Sequence, residues 1–123
     1  MNPADLFKHE TETTELAPGD VLFKEGDPGD CMYILLEGAM DIRVRNATVE
    51  KSERGALLGE MALIDRSPRG ATVVATEPSR LVRVDERRFN FIIQQNPFFA
   101  RHLMKVLVDR LRHMNESAST DTE

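Results

Sequence analysis

The hydrophobic period of this chain changes once, near residue 86. Before that point apolar residues come in short runs separated by dense turn signals. Leu16-Ala-Pro-Gly-Asp20 and Glu25-Gly-Asp-Pro-Gly-Asp30 supply the backbone angles that reverse a chain. Between them Val21–Phe23 is a strand-length apolar run, and 31–36 is another. Gly38 interrupts the pattern before 39–45, where Met40, Ile42 and Val44 alternate with Asp41, Arg43 and Arg45. That period of two marks a half-buried strand. Segments 71–75 and 81–84 continue it. Many short strands at this spacing predict a barrel or a jelly-roll-like sandwich over about 12–86.

After residue 85 the period becomes helical. Asp85 is placed to cap a helix over Glu86–Gln95, and Asn96 before Pro97 ends or redirects it. Pro97 suits a first helical position. Phe99, Leu103, Val106, Leu107, Arg110 and Met114 follow at three- and four-residue steps, a largely apolar stripe over 97–114. Pro3, Leu6 and Phe7 suggest a short helix at about 3–9, and 115–123 reads as a polar, disordered tail.

A chain of 123 residues fits one domain, here over 1–114, with a single core. No apolar stretch approaches the ~20 residues that span a bilayer, and no basic and apolar leader opens the chain. Cys31 is the only cysteine, so no internal disulfide forms and a cytoplasmic location is expected. Charge is uneven. Residues 1–79 hold eight Lys/Arg against fifteen Asp/Glu, whereas 80–114 hold eight against three. The acidic body disfavours nucleic acid and anionic membranes. The basic stretch reads first as a solvated helix face.

Segment 58–74 carries the chemistry. Gly59 permits a turn barred to other residues and lets a ligand approach the backbone. Glu60 to Ile64 is a short helical turn whose first N–H groups are expected to lack internal partners. Glu60 suits a hydroxyl donor such as a ribose 2′-OH. Arg69 is permanently charged, with forked donors that match phosphate oxygens. Thr72 can add a hydroxyl, and Gly70 and Ala71 leave room. One Arg with backbone donors suits a single phosphodiester. The plain alternative is a surface ion pair of Glu60 and Arg69 flanking a turn.

Gly59-Glu60-Met61-Ala62-Leu63, then Pro68-Arg69-Gly70-Ala71-Thr72, resembles the phosphate-binding cassette of cyclic nucleotide-binding domains. Upstream, Pro18-Gly19-Asp20, Phe23, Gly26-Asp27, Gly29-Asp30, Tyr33-Ile34 and Gly38 resemble that family's β-roll. The resemblance covers about 5–114. It implies a mainly β fold with flanking helices (α+β): an antiparallel β-roll, a jelly-roll-like double-stranded barrel. A short N-terminal helix, a cassette helix and two C-terminal helices would complete it.

The same resemblance gives Glu60 the ribose 2′-hydroxyl and Arg69 the cyclic phosphate. Gly59, Met61 and Ala62 would make backbone contacts, with Gly70, Ala71 and Thr72 on the far side. The last helix would cap the base, through Arg110 or Met114. Gly70 stands where cGMP-preferring members carry a Thr, which favours cAMP over cGMP. Leu58 replaces a common Phe and is expected still to plug the core.

No P-loop, nucleophile–base pair or metal-ligand spacing is visible, and His9, His102 and His113 read as surface or packing residues. Cys31 reads as a buried strand residue, and Gly19, Gly26, Gly29 and Gly38 as turn residues rather than ligand contacts. The expected protein is therefore no enzyme and needs no cofactor beyond its ligand. It is a cytoplasmic receptor for cAMP, or cGMP, whose C-terminal helix moves toward a separate effector protein. Only nine residues follow Met114, so direct DNA binding is not expected, and a complete small protein fits. The alternatives are a degenerate β-roll that serves as an interaction module, and a cyclic dinucleotide as ligand.

Overall fold

The computed structural model describes residues 1–121, with side chains through His113. Eight strands are present: β1 (Thr14–Leu16), β2 (Val21–Phe23), β3 (Cys31–Glu37), β4 (Met40–Val44), β5 (Ala47–Ser52), β6 (Leu57–Leu58), β7 (Thr72–Ala75) and β8 (Ser79–Asp85). They form two four-stranded antiparallel sheets, in the orders β1-β8-β3-β6 and β2-β7-β4-β5. The sheets stay separate, so the β-roll is an open sandwich and not the closed barrel the sequence allowed. Strands as short as β6 and β1 cannot carry hydrogen bonding around both edges.

Alternation decides which faces meet. Leu35, Met40, Leu58, Val73, Ala75 and Leu81 form the core, with Leu16, Leu22, Phe23, Tyr33 and Ile42 packed against it. Leu58 is 1% exposed and does plug the core.

Several boundaries differ from the sequence expectation. The strand at 39–45 is Met40–Val44, because Arg45 and Asn46 take left-handed angles (φ 51° and 68°) in a two-residue hairpin turn. The N-terminal helix is a 3₁₀ turn over Pro3–Phe7, shorter than 3–9. Asn2 caps it, its Oδ1 accepting from the Ala4 N–H at 2.9 Å.

The chain separates into two compact units, Asn2–Asn90 and a unit from Phe91 onward that includes Met1. Helix α2 (Glu86–Gln95) starts at the end of the first unit, where Asp85 Oδ1 accepts from the Arg88 N–H at 2.8 Å. Helix α3 (Pro97–Asp121) fills most of the second. Asn96 Oδ1 caps it by accepting from the Phe99 N–H at 3.1 Å. The helix continues past Met114, correcting the tail expected from 115. No Gly or Pro interrupts 115–121, so propagation costs little. Residues 122–123 of that tail lie outside the described residues.

Candidate functional site

Segment 58–74 leaves β6 at Leu58 and enters β7 at Thr72, so both ends are fixed in the sandwich. Gly59 takes φ +76°, a left-handed angle that glycine adopts without a Cβ penalty. A Cβ there would lie 2.3 Å from Arg69 Nη1, so space also demands glycine. Helix α1 (Met61–Ile64) follows. Its Ala62 and Leu63 N–H groups donate to the Gly59 and Glu60 carbonyls at 3.3 and 3.1 Å. A single turn closes on itself this way, so donors that the sequence reading left free are partly committed.

Arg69 is the centre of the arrangement. Its N–H donates to the Asp27 carbonyl at 2.8 Å, and its carbonyl accepts from the Gly26 N–H at 2.7 Å. These bonds clamp the segment to the turn between β2 and β3. The side chain runs inward and is only 7% exposed. Its Cζ lies 4.2 Å from the centre of the Phe23 ring, a cation–π contact. Nη1 donates to the Gly59 carbonyl at 3.0 Å, and Nη2 to Cys31 Sγ at 3.6 Å. Nε is buried with no partner.

Glu60 is 1% exposed, so the surface ion-pair alternative fails for both residues. An orphan buried donor costs about 1–3 kcal/mol, more when it is charged. An anion on the Nε–Nη2 edge would recover that cost.

The remaining expected residues vary. Met61 is 46% exposed and Ala62 is buried. Gly70 has open space around it, and Ala71 is half-buried. The Thr72 hydroxyl is engaged, its Oγ1 accepting from the Glu25 N–H at 2.9 Å. Arg110 is half-buried on α3, and the Met114 side chain lies outside the described residues.

Sequence reasoning missed what surrounds Arg69. Phe23 supplies the ring, and Cys31 supplies the sulfur. Gly29 supplies clearance, because a Cβ there would sit 2.6 Å from Arg69 Cζ and Nε. Tyr33 lies beside them, its phenol pushed up by burial and then by a hydrogen bond with Cys31. Arg83, opposite Tyr33 on β8, is held charged first by Cys31 and also by Asp30. Sequence gives no signal for these pairings, which the strand register creates. Among the described residues, no group of three or more His, Cys, Asp or Glu is placed to hold a metal ion.

The profile of the family described as "Cyclic nucleotide-binding domain" matches residues 13–96. The chain belongs to that family. It is 31% identical over 102 residues to the mouse potassium/sodium hyperpolarization-activated cyclic nucleotide-gated channel 3, covering 83% of this chain and 13% of the channel. A cAMP-dependent protein kinase regulatory subunit from Debaryomyces hansenii is 30% identical over 109 residues, covering 87% of this chain and 24% of the subunit. The chain thus spans a small part of these relatives. The crystal structure of Thermus thermophilus catabolite activator protein superposes with a TM-score of 0.78 at 25% identity, covering 93% of this chain and 61% of that one.

Proposed function

We propose that this chain is a receptor for a cyclic mononucleotide, with cAMP preferred over cGMP. The observation that carries the reading is the buried Arg69 guanidinium whose Nε has no partner. A cyclic phosphate has one negative charge and two free oxygens, which suit the Nε–Nη2 edge. Glu60, on the adjoining turn, takes the ribose 2′-hydroxyl. The backbone of Gly59, Met61 and Ala62 lines one side, with Ala71 and Thr72 on the other. Gly70 offers no hydroxyl to a guanine, which supports the preference for cAMP.

Arg110 or Met114 caps the base as the C-terminal helix moves. That movement follows only from a difference in nucleotide affinity between two states. Its target is a separate effector protein, and the chain itself neither catalyses a reaction nor binds DNA. Among the described residues no helix is long and apolar enough to cross a membrane. A cytoplasmic setting is the proposed location.

Calorimetric titration tests the reading. Saturable heat with cAMP, tighter than with cGMP and abolished in Arg69→Ala, is expected. No heat with either nucleotide, or unchanged binding in the variant, overturns it. Retention of both Glu60 and Arg69 in buried positions weighs against a degenerate interaction module.

A further inference from the structure

Cys31 opens β3 and is 3% exposed. It is free, and several polar side chains converge on its sulfur. Arg69 Nη2 donates to it at 3.6 Å. The Tyr33 hydroxyl and the Arg83 guanidinium hydrogen-bond with it as well. Arg83 also lies 3.5 Å from the Asp30 carboxylate.

Nε and Nη2 of an arginine point the same way and form the edge that grips two anion oxygens. In Arg69 the sulfur of Cys31 holds one end of that edge. The other end is the buried donor without a partner. Nη1 is already committed to Gly59, and the missing Cβ atoms of Gly29 and Gly59 are what make room for the guanidinium. The sulfur therefore borders the volume an anion would enter, with little slack around it.

We propose that Cys31 is a thiol modification site built into the anion seat. A small group joined to its sulfur and a cyclic phosphate exclude one another at Arg69. The proposal rests on the cyclic-nucleotide reading and adds a control to it. The chemistry is exchange with a small disulfide-type reagent. The Cys31 sulfur attacks a sulfur of the reagent, a new S–S bond forms as the old bond breaks, and the departing group carries the electron pair and takes up the proton. Two neighbouring guanidiniums give the electropositive setting in which such attack is site-selective. Because binding linkage is reciprocal, the nucleotide must hinder the modification as the modification hinders the nucleotide.

The full chain has one cysteine, so labelling is unambiguous. Methyl methanethiosulfonate is the probe. It transfers a methylthio group and releases methanesulfinate. Mass spectrometry follows the labelling rate with and without saturating cAMP, and calorimetry measures cAMP affinity before and after. Labelling slowed at least about tenfold by cAMP, and affinity weakened at least about tenfold by the label, are expected. Dithiothreitol restores binding, and Cys31→Ser binds cAMP yet ignores the reagent. Far-UV circular dichroism follows the fold of the labelled chain. Labelling only after denaturation, a rate indifferent to cAMP, a labelled chain that binds normally, or one that has unfolded each overturns the proposal. If the untreated chain binds no cyclic nucleotide, the functional reading itself falls.

Discussion

Arg69 and Arg88 both lie over a phenylalanine ring, at 4.2 Å from Phe23 and 4.9 Å from Phe7. What closes them differs. Arg88 donates to the Glu10 carboxylate, so its charge is answered within the chain. It remains 40% exposed at the side chain, and it ties the segment after the N-terminal turn to the start of α2. Arg69 is far more buried and meets a carbonyl, a thiol and an empty position at Nε. The same side chain on the same kind of ring thus serves two ends. Where the protein supplies the anion, the arginine fastens two segments. Where it withholds one, the arginine waits for an anion from outside.

The comparison breaks most sharply at Arg69 itself. Arg69→Met is expected to weaken cAMP binding at least about a hundredfold, the scale of losing a charged hydrogen-bond pair. Its melting temperature holds or rises, since an uncompensated buried charge is replaced by an apolar group of similar volume. Calorimetry and thermal melting read the two effects separately. Gly29→Ala comes next. Its Cβ would press on the guanidinium at 2.6 Å, and because that side chain can yield, the fold survives. Affinity falls about tenfold as the Nε–Nη2 edge is misplaced.

Arg88→Ala gives the smallest effect, and on the other axis. Stability drops by about 1 kcal/mol, or roughly 4 °C in melting temperature, while cAMP affinity is unchanged. The pH dependence sharpens this arm. The Arg88 hydrogen bond is the main cause holding the Glu10 carboxyl below its ordinary 4.5. The contribution is fully present above that value and fades as pH falls through the lower folded value. Melting curves down an acid series carry this loss in the parent chain and lack it in Arg88→Ala.

The sequence could disclose whatever is local. Alternation at Met40, Ile42 and Val44 marks β4 because each contrast lies within two residues. Strand β5 escaped notice, since all but its last residue are exposed and no apolar rhythm survives on it. The Arg45–Asn46 turn escaped for a related reason, as it lacks the glycine that usually announces such a turn. Glu60, Arg69 and their spacing were legible as a loop with a carboxylate and a cation. That Arg69 would lie on Phe23 and against Cys31 was not. Those neighbours are 46 and 38 positions away, and only strand pairing chooses them.

The Glu25–Thr72 hydrogen bond also joins distant positions, 47 residues apart. The anion seat draws Phe23, Cys31, Gly59 and Arg69 from separate strands and loops, so a nascent or half-collapsed chain has no seat to offer. Contacts of such long sequence separation are slow to form in folding. A nucleotide that recognises only the finished arrangement cannot hasten its assembly. It acts instead as a late lock, lowering the unfolding rate and lengthening the life of the folded chain against proteases.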